Sequence, residues 1–140
     1  MKKSTTQKPA RLRLYEYALA GGWKVLAGRT EDDNEELSLK VARPNDWWFH
    51  VRGTSGSHVV LQGPEGEEPG RRRLEQAAAV AAYHSKAREA GVVPVSSTRA
   101  RHVTKPRGAK TGTVQIRKET VIKVRPGIPA AERGEKERTP

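Results

Sequence analysis

Two of the chain's four histidines, His50 and His58, stand eight residues apart around the turn Gly53-Thr54-Ser55-Gly56, with Asp46 before them and Ser57 between. Carboxylate, imidazole and hydroxyl are the side chains of general acid–base and hydrolytic chemistry, provided they lie within hydrogen-bond reach of one another and open to a cleft. Asp46, His50, Ser57 and His58 are therefore the candidate set for an RNA-processing or hydrolytic enzyme. A zinc site needs three or four ligands, and here Asp46 is the only carboxylate near the histidines and the chain has no cysteine, so no metal or other cofactor is expected. Gly53 to Ser57 fails the nucleophile-turn pattern, because serine stands where its last glycine belongs and a strand follows instead of a helix. Gly108-Ala109-Lys110-Thr111-Gly112 has phosphate-loop residues in the wrong order, and the acidic run from Glu31 lacks the spacing of a calcium loop. Two binding roles stay open for the histidines: hydrogen bonds to turn backbone, or contact with phosphate or bases.

Charge points to a binding protein. The 140 residues hold 27 Lys and Arg against 16 Asp and Glu, a net charge of +11 with an isoelectric point near 10.3. Residues 1–30 carry +6, residues 31–46 carry −4, and residues 99–125 hold nine bases against Glu119 alone, for +8. Such unevenness implies a basic patch that attracts polyanions and releases their counterions. Arg99, Arg101, Lys105, Arg107 and Lys110 are the candidate phosphate contacts, with Arg52, Lys86, His50 and His58 as further RNA-binding candidates. Gly108 and Gly112 would let a strand of nucleic acid approach the backbone. Of Trp47 and Trp48, neighbours that point to opposite sides of a strand, one is expected in the core and the other free to stack a base; Trp47 is the candidate. The acidic segment is expected to stay clear of both basic ones. A helix starting near Asn34 offers a third reading, a protein-interaction module that docks on a partner protein through that acidic segment.

The elements that must position these residues are short. Leu12 and Leu14 alternate with polar neighbours, and Gly21-Gly22 separates them from Trp23 to Ala27, which predicts a β-hairpin. Asp32, Asp33 or Asn34 is expected to cap a short helix with Leu37 and Val41 at helical spacing, ended by Pro44. Residues 46–52 and 57–62 form a second hairpin that holds three of the four Trp and Phe residues and marks the core. Leu74 to Ala90, with seven alanines and Gly91 behind it, predicts the one long helix, its small face at Leu74, Ala77, Ala78, Ala81 and Ala82 packing on a sheet and Lys86 and Arg88 near its C-terminal end. Strands are expected at 92–95, 100–104, 113–117 and 120–124. The class is α+β, a mixed or antiparallel sheet with one long and one short helix. One domain over 11–126 is expected, between flexible tails at 1–10 (basic) and 127–140, whose composition buries too little apolar surface to repay ordering. No apolar run approaches the length of a membrane span, so a soluble, cytoplasmic monomer is expected, with no membrane or DNA partner.

Five separated motifs resemble one family. Asn34-Glu35-Glu36-Leu37, Asp46-Trp47-Trp48-Phe49-His50, Gly56-Ser57-His58-Val59-Val60, Ala81 to Ala87 with its Ser85-Lys86-Ala87, and Val103 to Ala109 with its Lys105-Pro106-Arg107-Gly108-Ala109, together with Gly28-Arg29, follow in order the pattern of the NFACT proteins' RNA-binding domain, NFACT-R. The similarity covers about Tyr15 to Pro126. It implies an RNA-binding module for tRNA or rRNA, working with the large ribosomal subunit in ribosome-associated quality control, and for the third reading a ribosomal or quality-control protein as the docking partner. Full-length relatives also extend stalled nascent chains with untemplated residues. The 140 residues leave no room for the N-terminal domain, helix-hairpin-helix or coiled coil of those relatives, so a stand-alone module without tailing activity is expected.

Overall fold

A computed structural model describes residues 12–129; the tail expected at 1–10, and all but residues 127–129 of the tail expected at 127–140, lie outside them. Eight strands and two helices follow in the order β1 (Leu14–Ala18), β2 (Lys24–Gly28), α1 (Glu31–Glu36), β3 (Trp47–Val51), β4 (Val59–Gln62), α2 (Gly70–Tyr83), β5 (Val93–Arg99), β6 (Val103–Thr104), β7 (Gln115–Ile116) and β8 (Thr120–Val124). Six strands make an antiparallel sheet in the order β1-β2-β4-β3-β5-β8, and β6 and β7 form a separate two-stranded ribbon. This is the α+β class, and both predicted hairpins and the strand 120–124 form where the alternation placed them.

The sheet is covered on both faces, so successive side chains of its central strands serve two cores. Phe49 and Val51 of β3, Val25, Val59, Leu61 and Val95 pack under α2, whose Ala77, Ala78, Val80, Ala81 and Ala82 are fully buried. The alanine face lets the helix approach closely, as its composition implied. Trp48, Leu26 and Val60 face the other way and meet Leu37, Val103 and Leu14. Leu37 and Val41 belong to a wider π turn, Leu37–Val41, that prolongs α1 and brings both against this second core.

Several boundaries differ from expectation. The cap of α1 is Thr30, whose Oγ1 accepts from the Asp33 amide at 3.1 Å. Asp33 and Asn34 are not available as caps: Asp33 Oδ1 accepts from the Arg13 amide and Asn34 Oδ1 from the His58 amide. The long helix runs from Gly70 to Tyr83 and stops well short of Gly91. At its end Gly56 bridges to Ser85, the Ser57 amide donates to His84 O at 2.9 Å, and the Lys86 amide donates to Ser55 O at 3.0 Å. These long-range bonds pull the chain out of the helix although residues 85–90 favour it, and Lys86 and Arg88 sit beyond α2. Strand β5 extends through Arg99, Ala100–His102 form a 3-10 turn where a strand was expected, and 113–117 reduces to the two residues of β7. No helix among the described residues is long and apolar enough to cross a membrane.

Candidate functional site

Nine of the ten candidate residues fall into three groups and Lys86 stands apart from them, and the stretch Arg99 to Lys110 is divided between two ends of the sheet. Arg99 closes β5 opposite Trp47, the first residue of β3. Its guanidinium carbon lies 4.1 Å from the Trp47 ring centre, with Nη1 donating to Asn45 O at 2.7 Å and Nη2 paired to Glu68 at 3.0 Å. Arg101 donates to the Asn45 side chain. A cleft of about 420 Å³ lies here, lined by Trp23, Trp47, Pro64, Arg43, Arg99 and Arg101 but also by Glu65, Glu67 and Glu68. Of the neighbouring pair, Trp48 is buried and Trp47 is half-buried with a cation already over its ring.

His50 and His58 meet at the other end of the hairpin, on the face away from α2. Their rings are 5.5 Å apart and perpendicular, and Trp48 lies edge-on to His58 at 5.3 Å. His58 Nδ1 is hydrogen bonded to Ser38 Oγ at 2.8 Å, the same oxygen that accepts from Trp48 Nε1 at 2.8 Å. Burial first, then the neighbouring His50, pushes the His58 pKa down to about 4; burial also lowers that of His50. Both imidazoles are thus neutral at pH 7, part of a packed polar cluster. The acid–base set does not assemble around them. Ser57 Oγ donates to Gly28 O at 2.6 Å, and Asp46 Oδ2 accepts from the Arg43 amide and from Gln62 Nε2. Asp46 precedes β3 and His50 lies four residues on, roughly 13 Å along an extended strand. Among the described residues no group of three or more His, Cys, Asp or Glu could hold a metal. Arg52, also at this end, pairs with Glu119 at 3.4 Å.

The third group is the loop after β6. Two consecutive turns shape it, Ala109 N donating to Pro106 O and Thr113 N to Lys110 O, each at 3.0 Å. Gly108 (φ 78°) and Gly112 (φ 89°) occupy the third position of these turns, where a left-handed backbone calls for glycine. The acidic segment does not stay clear of this loop: Glu35 Oε2 pairs with Lys105 Nζ at 3.0 Å and Oε1 accepts from the Gly112 amide at 2.8 Å. Those two bonds hold the Glu35 carboxyl below its usual pKa. Arg107 and Lys110 remain exposed, and their side chains have no partner among the described residues. Replacing Glu35 by Gln keeps one acceptor for Gly112 and discharges the clamp; we expect a loss of about 1 kcal/mol in urea unfolding, with faster amide exchange confined to 105–112.

Four of the sequence motifs converge on a second cleft, of about 480 Å³, beside the N-terminus of α1. Gly28, Asn34, Gly56, Ser57, Ser85 and Lys86 line it, brought from β2, α1, the β3–β4 connection and the end of α2. The joints are tight. A Cβ on Gly28 would lie 2.1 Å from Asn34 Oδ1, and one on Gly56 would lie 2.6 Å from Ser85 Cβ. Tyr15 stacks on His84 with ring centres 4.3 Å apart and planes 13° from parallel, and Tyr17 Oη is hydrogen bonded to His84 Nε2 at 2.7 Å. Burial, with Arg88 and Arg29 nearby, lowers the His84 pKa to about 4. Arg29 sits over the Tyr15 ring at 4.7 Å, and Arg88 over Tyr83 at 3.9 Å. Of the ten candidates only Lys86 lies here; the other two cations that line the cleft, Arg29 and Arg88, are not among them. Their signal was position within the motifs, since Arg29 follows Gly28 and Arg88 follows Ser85-Lys86-Ala87.

Known proteins match this arrangement. The family described as "NFACT protein RNA binding domain" matches residues 13–118. The "Rqc2 homolog RqcH" of Bacillus subtilis is 39% identical over 120 residues, 86% of this chain and 20% of that protein. The "Ribosome quality control complex subunit NEMF homolog" of Drosophila melanogaster is 31% identical over 81 residues, 58% of this chain and 8% of its own. Among solved structures, the C-terminal part of the fibronectin/fibrinogen-binding protein from Streptococcus suis superposes with a TM-score of 0.75 at 35% identity, covering 86% of this chain and 46% of that one. The chain thus spans about a fifth of the length of the bacterial relatives. With the family matching residues 13–118 and four of the motifs meeting at one place in the fold, this chain belongs to the NFACT RNA-binding domain family.

Proposed function

We propose that the chain is a non-catalytic module that binds tRNA or rRNA, at the large ribosomal subunit and in ribosome-associated quality control, without tailing activity of its own. Family membership and the names of its relatives support the RNA and the setting. The observation that carries the mode of binding is the 105–112 loop: Glu35 and two glycine turns hold its base, and Arg107 and Lys110 are exposed on it with no acid against them among the described residues. Cations presented in this way reach backbone phosphates and position the protein without reading sequence. Lys105 serves chiefly to anchor the loop, and Arg99 and Arg101 are secondary contacts at the far end of the sheet. His50 and His58 support the hairpin that carries the cleft.

The test is equilibrium binding of the whole protein to purified bulk tRNA and to large-subunit rRNA across a salt series. Affinity should fall steeply with salt, and Arg107→Glu with Lys110→Glu should weaken binding about tenfold or more and flatten the salt slope by about two phosphate contacts. Lys105→Glu would be a poor probe, because it sets two carboxylates against each other at the loop's anchor. Unchanged affinity in the doubly reversed protein removes the loop from the interface, and RNA binding that is absent in the unaltered protein removes the function.

A further inference from the structure

The cleft at Gly28, Asn34 and Lys86 has no part in the loop contact, and its chemistry differs from that of a phosphate-positioning surface. Its charged side chains are Arg29, Lys86 and Arg88 against one acid, Glu31. Among the described residues neither Arg29 nor Lys86 has an acid in ion-pair range, and both are exposed. Arg88 is fixed, its Nε donating to Tyr83 O at 2.7 Å and its guanidinium lying on the Tyr83 ring. The backbone around Lys86 is fixed too, through Ser55 and the Gly56–Ser85 bridge. Beside these cations stands a column of flat groups: His84 is stacked on Tyr15, and the Arg29 guanidinium lies over the same tyrosine. A duplex keeps its bases inside and cannot use such a column, whereas an unpaired base stacks readily on aromatic or guanidinium planes. The two serine hydroxyls of the cleft are already spent, Ser57 on Gly28 O and Ser85 on Ala82 O, so neither is left to donate to a base edge.

We propose that this cleft takes one unpaired nucleotide of a single-stranded RNA segment, its base on the Tyr15–Arg29 column and its flanking phosphates on Lys86 and Arg88. The inference rests on the RNA-binding reading above and adds a second contact of a different kind. The cleft adjoins the loop, since a Cβ on Gly112 would lie 3.3 Å from Glu31 Cβ and Glu31 also lines the cleft. One RNA could therefore lay a structured part on Arg107 and Lys110 and thread an unpaired residue past Glu31. Base preference should be weak.

The experiment measures fluorescence anisotropy of the full chain with a short labelled oligouridylate, with the same strand carrying an abasic residue, and with bulk tRNA as competitor. We expect the intact strand to bind more tightly than the abasic one, and Arg29→Ala with Lys86→Ala to weaken the intact strand about tenfold and erase that difference. Because both side chains are exposed, the double variant should melt with the unaltered protein. The proposal is overturned by oligouridylate affinity that the double variant leaves intact, or by equal affinity for intact and abasic strands in the unaltered protein. If either occurs while Arg107→Glu with Lys110→Glu still weakens tRNA binding, the loop reading stands and only the cleft falls. If the unaltered protein binds none of these RNAs, both fall.

Discussion

Acidification from pH 7 to 4.5 should destabilise this domain by several kcal/mol, with most of the loss between pH 6.5 and 4.5. The cause is the pair His58 and His84, each held neutral in the fold with a pKa of about 4 against about 6.5 in an unfolded chain. Well above pH 6.5 neither state binds a proton at these rings. Below it the unfolded chain takes up protons that the folded one refuses until pH 4, so stability falls as pH falls across that window. About 2.5 units at 1.36 kcal/mol each caps the effect on the order of 3 kcal/mol per histidine, and by pH 4.5 most of that is reached. Set against the 5–15 kcal/mol typical of a domain, such a loss is large. Urea midpoints at pH 7, 5.5 and 4.5 measure it. The folded-state groups responsible are specific: Ser38 and the Trp48 edge around His58, Tyr15 and Tyr17 around His84. Replacing His84 by Gln should therefore remove close to half of the pH dependence even if it lowers stability at pH 7. Midpoints that stay level from pH 6.5 to 4.5 would refute the neutral assignment of both rings.

Replacing Gly28 by Ala should cost about 3 kcal/mol, although it adds one methyl group to a strand end. That methyl would lie 2.1 Å from Asn34 Oδ1 and 2.9 Å from the Asn34 amide nitrogen. Backbone as well as side chain must shift, a form of overpacking that typically costs 1–3 kcal/mol. Moving Asn34 Oδ1 also strips the His58 amide of its acceptor at 3.0 Å, and a buried donor left unmade costs about 1–3 kcal/mol more. Because both terms run through one side chain, the double variant Gly28→Ala with Asn34→Ala should cost clearly less than the two single losses added together. Thermal melts of the four proteins in the cycle test this. Strict additivity would mean that Gly28 and Asn34 do not press on each other.

Much of the fold was legible because its signals are local. Alternation from residue 12 and the aromatic and β-branched runs in 46–52 and 57–62 report strands, and the alanine run in α2 reports a helix that must pack closely. The end of that helix was not legible. Residues 85–90 suit a helix, and the chain leaves it only because Gly56 offers Ser85 a bridge and Ser55 accepts from the Lys86 amide. The cap of α1 was misread for a similar reason: three good capping residues stand in a row, and two are taken by Arg13 and His58, which lie far away in sequence.

For the binding residues, side-chain type was visible and pairing was not. Arg99 to Lys110 read as one basic stretch, yet β5 ends at Arg99 and the turn after it sends Arg99 and Arg101 to Trp47 and Asn45, away from the loop. Lys105 looked equivalent to Arg107 until Glu35, seventy residues earlier, was found against it. Arg29 was hidden because it abuts the acidic stretch 31–46, whose summed charge of −4 masks one exposed cation. The sequence by itself determined the α+β class, the family and the sign of the charge presented to a partner, since periodicity, motif spacing and residue type are properties of the chain. Only the tertiary structure decided which cations are free, which histidines are neutral and where the motifs meet. Those depend on distances between segments tens of residues apart, and electrostatic pairing and desolvation act over a few ångströms of space whatever the separation along the chain.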